Sequence, residues 1–183
     1  MLIHTENLRL LTCGIDHLES IVRDPKSLGA LLNVSIPDGW PGYAQAYPHC
    51  LELLRREPLR ALGGWWLYLF IHAHERALVG CGGFKSPPAK DGVVEIGYEI
   101  APAFRGRGLE REAVTALLRF AFTRPEVTAV QALTPAKRGP ETQPLEQAGM
   151  RMSGKAGDPQ AGAVWVWRMT SDEFAHAVPR RAA

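Results

Sequence analysis

The chain has 183 residues, of which 46% are hydrophobic and 22% charged, and its net charge is +2. That composition suits a soluble globular protein, and a single domain over residues 1–183 is expected. The basic residues are dispersed, so neither nucleic acid nor a membrane surface is indicated as a partner.

The opening segment from Leu2 to Leu11 reads as a strand, clearest over Leu8–Thr12. Ile15, Leu18, Ile21 and Val22 then share one helical face through Arg23, and Asp24-Pro25 ends that helix. A short helix follows at Ser27–Leu32. Asn33 to His49 is rich in glycine, proline and aromatics. Ile36, Trp40, Tyr43 and Tyr47 there are placed either to line a substrate pocket or to pack the loop onto the core. Pro48–Arg56 continues as a helix. After Gly63-Gly64 come strands at Trp65–His72 and Leu78–Phe84, joined by a turn over Ala73–Arg76, and Ser86–Gly92 is a turn-rich connection onward.

The most informative stretch is VVEIGYEIAPAFRGRGLEREAVTALLRFAF, from Val93 to Phe122. Val93–Ile100 has the β-branched and aromatic content of a strand, and Ala101-Pro102 ends it. From Leu109 the period changes: Leu109, Ala113, Leu117, Phe120 and Ala121 recur at helical spacing, widened by Val114 and Leu118. Between them, Phe104-Arg105-Gly106-Arg107-Gly108 allows a tight turn that presents main-chain N–H groups at a helix start, a place that attracts anions and phosphates. The alternative is an ordinary turn with solvated arginines.

Val127–Leu133 is a further strand, which makes one parallel β-α-β crossover in a mixed sheet. Glu141–Ala148 is a short helix closed by Gly149, and Met150–Lys155 and Ala163–Met169 form a final strand pair. Ser171 caps a terminal helix through Val178, with Glu173 in its first turn. The cysteines Cys13, Cys50 and Cys81 are odd in number and widely spaced, which argues against a disulfide framework or a metal site and for small buried hydrophobes. Glu6 and Arg9 interrupt any leader-like run, and Trp65–Ile71 is too short to span a bilayer, so a cytoplasmic location is expected.

EIGYEIAPAFRGRGLEREAV resembles the acetyl-coenzyme A motif of the GNAT superfamily of N-acetyltransferases, in particular the Rim-type branch acting on ribosomal-protein N-termini, other amines and antibiotics. LEQAGM at Leu145–Met150 is similar to a second family segment, and the order of elements agrees over nearly the whole chain. The resemblance implies an α/β (α+β) GNAT fold: a mixed, mostly antiparallel central sheet with one parallel crossover and helices on both faces. It implies acetyl transfer from acetyl-CoA, with no metal, to a primary amine on a peptide or small molecule, and homodimers are common in this branch. By the same resemblance the amides of Arg105, Gly106, Arg107, Gly108, Leu109 and Glu110 hold the pyrophosphate, and those near Ile100, Ala101 and Pro102 polarise the acetyl carbonyl.

The motif runs Q or R, two residues, G, one residue, then G or A, so Glu110 replaces its final small residue. Arg138 and Glu141 stand where the family has asparagine and serine. A carboxylate about 5 Å from a phosphate costs about 0.8–3 kcal/mol of repulsion at an effective dielectric between 80 and 20. These departures leave a second reading, a catalytically silent GNAT-fold binding protein with weakened or lost coenzyme A binding.

Acetyl transfer to an amine needs a base, and Glu95 and Glu99 are the candidates. Period-two spacing puts both on one face of their strand, with Val94, Ile96, Tyr98 and Ile100 on the other. Glu95 is preferred because it lies where some family members carry a base. His72 and His74 are rivals two residues apart on a neighbouring strand.

Overall fold

The computed structural model describes residues 1–159 and 162–177. The strands are β1 (Leu2–His4), β2 (Leu8–Thr12), β3 (Leu67–His72), β4 (Ala77–Phe84), β5 (Val93–Ile100), β6 (Ala129–Pro135), β7 (Arg151–Asp158) and β8 (Gly162–Thr170). They form one sheet in the order β1-β2-β3-β4-β5-β6-β8-β7. Neighbours are antiparallel except β5 and β6, which run parallel.

Helices cover both faces, as the resemblance implies. On one side α1 (Ile15–Arg23), α2 (Ser27–Leu32) and α3 (Tyr47–Arg56) close over Leu69, Leu78 and Cys81. On the other side lies α4 (Leu109–Phe122), the crossover between β5 and β6, with α5 (Gln143–Gln147) beside it. Leu109, Ala113, Val114, Leu117, Leu118 and Ala121 of α4 are all buried against the sheet. Each leucine or valine so buried contributes about 1.5–3 kcal/mol, so this face fixes the helix firmly. The last helix, α6 (Ser171–Ala177), packs Phe174 against Phe122.

The start of α4 is also tied to the beginning of the chain. Glu112 accepts hydrogen bonds from the Thr5 hydroxyl at 2.5 Å, the Asn7 main-chain N–H at 2.6 Å and the Asn7 side-chain amide at 2.9 Å. Partial burial opposes its charge, but these donors outweigh burial and hold the carboxyl below its usual range.

The expected elements are present, with several adjustments. The opening segment is a hairpin of two strands rather than one strand, because Thr5–Asn7 turns back and is held by Glu112. Trp65 and Trp66 precede β3 and point into opposite cores. β6 begins two residues later than expected, since Val127 is buried in the turn before it. Val22 is 44% exposed and does not join the buried face of α1. α5 is shorter than expected and ends in a Schellman arrangement: Met150 N–H donates to Leu145, and Gly149, at φ 91°, donates to Glu146. The cap of α6 is Thr170 rather than Ser171, with Thr170 and Glu173 exchanging hydrogen bonds, and Val178 lies outside the described residues.

Candidate active site

β5 and β6 run as a parallel ladder from Val93 opposite Ala129 to Ile96 opposite Ala132, and then part. β4 keeps hold of β5 as far as Ile100, while β8 keeps hold of β6 as far as Pro135. Each strand follows its other neighbour, so the sheet opens between residues 97–100 and 133–135. Gly80 makes the β4 side of this possible. A Cβ there would lie 2.1 Å from the Glu99 carbonyl oxygen, so only glycine lets β4 stay closed on this half of β5.

The N–H of Ala101 donates to Val79, and the carbonyl of Glu95 accepts from Lys85, both on the β4 side. Strand alternation therefore turns the peptide groups of Tyr98 and Ile100 toward the opening. The Ile100 carbonyl accepts from Arg105 Nε at 3.0 Å. Of the amides expected to polarise an acetyl carbonyl, Ala101's is thus already engaged and Pro102 has none. Ile100's faces the gap.

The chain then makes one tight turn at Pro102–Phe104 and enters α4 through Gly106 and Gly108, at φ 72° and 79°. Nothing lies within 4 Å of where their Cβ atoms would be, so the left-handed backbone, not crowding, calls for glycine. The N–H groups of the first turn of α4 have no acceptor within the helix and open onto this turn. Leu109 is buried and can offer a ligand only its main chain. Arg107 does not face the helix start: it ion-pairs with Glu75 of the β3–β4 turn and lies 5.2 Å from the centre of the Phe104 ring.

Glu110 is half-buried beside Tyr98. Burial first, then the charges of Glu110 and Glu141, push the Tyr98 phenol above its ordinary range. Its hydroxyl donates to the Glu141 carbonyl at 2.8 Å, reaching from β5 to the loop before α5. Arg138 points outward, 80% exposed, with Glu146 at 3.5 Å.

The two candidate bases have different surroundings. Glu95 sits where β5 and β6 are still paired; it ion-pairs with Lys85 and accepts from Gln131 Nε2 at 3.0 Å. Glu99 lies in the open half and turns toward α3. Its Oε1 accepts from Cys81 Sγ at 3.4 Å, and the same sulfur is 3.0 Å from the Tyr47 hydroxyl. Burial pushes the Glu99 carboxyl above its ordinary range, against hydrogen bonds from Cys81, the Gly42 N–H and Tyr47 and the charge of Arg105. His72 is built into the β3–β4 turn, where Nδ1 accepts from the N–H groups of His74 at 3.4 Å and Glu75 at 3.3 Å, and His74 is exposed.

Trp40 and Tyr47 are buried and stack edge to face, whereas Tyr43 is 65% exposed. The aromatic loop therefore packs onto the core and brings Tyr47 to the site at the same time. Cys81 is buried, as its sequence setting implies, and its pairing with Glu99 across β4 and β5 adds a polar role that the sequence does not signal.

A widening gap, an outward-facing peptide edge and a glycine turn at a helix start together fit a ligand with an extended arm and phosphates. The charges of Glu110 and Glu141 beside Tyr98 are set against it. A family model described as an acetyltransferase (GNAT) domain matches residues 39–151, more than half of the chain. The protein is a GNAT acetyltransferase. An uncharacterised N-acetyltransferase of Bacillus subtilis (strain 168) is 24% identical over 160 residues, 86% of this GNAT chain and 94% of the relative. The ribosomal-protein acetyltransferase RimL, solved in complex with coenzyme A, superposes with a TM-score of 0.70 at 16% identity, covering 94% of this chain and 99% of that one. A ribosomal-protein alanine acetyltransferase from Vibrio fischeri gives 0.68 at 12% identity, covering 95% and 98%. The two structural likenesses establish the shared GNAT fold.

Proposed function

We propose that the protein transfers the acetyl group of acetyl-CoA to a primary amine, on a protein N-terminus, a small amine or an antibiotic, with Glu99 as the base. The observation that carries this reading is the placement of Glu99: a partly buried carboxylate with a raised proton affinity, on the open half of β5 and next to the outward-facing amide of Ile100. When bound, acetyl-CoA supplies the acetyl group as a thioester. The glycine turn at Gly106–Gly108 and the first turn of α4 would hold its phosphates through main-chain N–H groups. The peptide edge of Tyr98 and Ile100 would align the arm, and the Ile100 N–H would donate to the acetyl oxygen. Glu99 then takes a proton from the amine, a role that contributes about 10²–10⁴-fold in rate. The place of Glu95 in the paired half and its ion pair with Lys85 favour Glu99 over it for that role.

A second reading, a silent binding protein of the same fold, is favoured by the two acidic residues Glu110 and Glu141 on either side of Tyr98. Calorimetric titration with acetyl-CoA at moderate salt separates the two. Micromolar binding is expected; absence of binding up to millimolar ligand would establish the silent reading.

A further inference from the structure

We infer that Tyr47 and Cys81 are positioning residues that pin Oε1 of Glu99, so that Oε2 is the oxygen presented to the acceptor amine. The inference rests on the assignment of Glu99 as the base. Tyr47 comes from α3 and Cys81 from the middle of β4, and they are 4% and 6% exposed. The Cys81 sulfur lies 3.4 Å from Oε1 and 3.0 Å from the Tyr47 hydroxyl. An ionised carboxylate can only accept, so the thiol hydrogen points to Oε1 and the sulfur is left to accept from the Tyr47 O–H. One negative charge thus sets the direction of every hydrogen in the chain.

Burial pushes the ionisation of both Tyr47 and Cys81 upward, so both remain protonated donors while Glu99 titrates. They orient the base but cannot replace it. Oε2 points the other way, toward the loop before α3, where it lies 2.8 Å from the position a Cβ would take at Gly42. The Gly42 N–H donates to the carboxylate from this side, and any side chain at that position would crowd Oε2, whose remaining lone pair is the one left for the amine. In the transfer an N–H bond of the ammonium breaks, its electron pair stays on nitrogen, and the proton bonds to Oε2. The freed amine would then form the C–N bond as the thioester C–S bond breaks with its electron pair on sulfur, which takes up the second N–H proton. The charged and titratable groups facing Glu99 are Cys81 from β4, Tyr47 from α3 and Arg105 from the turn before α4, with Cys13 behind Tyr47 and Cys81.

The test uses Cys81→Ala and Tyr47→Phe, with Cys81→Ser as the variant that restores a donor. The Glu99 carboxyl is titrated by carbon NMR in the free protein, and kcat/KM is measured against pH with an accepted amine. Loss of either donor should move the Glu99 titration and the acid limb of kcat/KM to higher pH, because the hydrogen bonds favour the charged form. At neutral pH kcat/KM should fall roughly tenfold through misplacement of the base. Acetyl-CoA affinity should stay within about twofold, and Cys81→Ser should recover most of the rate. A Glu99 titration that does not move in either variant overturns the pinning. A titration that moves while the acid limb stays in place overturns Glu99 as the base and, with it, this role for the pair. The NMR measurement therefore distinguishes the two failures.

Discussion

The two ends of β5 carry the same residue type on the same face and do different things with it. Glu95 lies where β6 is still hydrogen-bonded alongside, with Lys85 beside it and Gln131 opposite. Glu99 lies four positions on, about 13 Å away at strand rise, where β6 has left and α3 and the loop before it close in with neutral donors. At one end the charge is matched by a cation. At the other it is partly desolvated and kept ready to accept a proton. The difference comes from which neighbour each half of the strand keeps, not from the residue or its spacing.

The largest effect that tests this contrast is on rate. Glu99→Gln should lower kcat for amine acetylation by about 100-fold or more, as expected for loss of a general base. Glu95→Gln should change it by no more than about threefold, the scale of a partly exposed ion pair. Steady-state assays on both variants check it, and equal losses would erase the distinction between the two ends.

A smaller effect concerns affinity at the open end. Glu110→Ala should tighten coenzyme A binding by roughly tenfold, within the range set by one charge at about 5 Å from a phosphate. Calorimetry reads it directly. Unchanged or weaker binding would mean that the carboxylate serves the helix start, whose dipole it suits, more than it repels the ligand.

The smallest effect is on stability and its dependence on pH. The folded protein holds a proton on Glu99 more tightly than the unfolded chain does, so wild-type stability falls as pH rises from the ordinary carboxylate range through the raised value. Glu99→Gln lacks that titration. Its melting temperature relative to wild type should therefore climb by a few degrees between acid and mildly alkaline pH, measured by thermal unfolding. A flat or falling difference would show that the fold does not favour the protonated form of Glu99.

Much of the framework was legible in sequence, because local chemistry writes it. Pro102 ends β5, Gly106 and Gly108 make the turn, and the change from alternating to helical spacing marks α4 at its observed bounds. What was not legible depends on contacts between distant residues. The opening hairpin turns at Thr5–Asn7, which has no glycine or proline and is held by Glu112 from 105 residues away. The different surroundings of Glu95 and Glu99 were not legible either, since where two strands part is decided by β4 and β8. Cys81 looked apolar because its partners, Tyr47 and Glu99, stand 34 and 18 residues off. The side-chain partner of Arg107, Glu75, is 32 residues distant and was no more legible.

The bond network around Glu112 also has a consequence for how this protein is made and handled. During synthesis the amino-terminal hairpin leaves the ribosome long before α4 does, and the Glu112 carboxylate gains these donors only when the two meet. An amino-terminal fusion or cleavage that disturbs Thr5–Asn7 acts on the entrance of α4, more than a hundred residues along the chain.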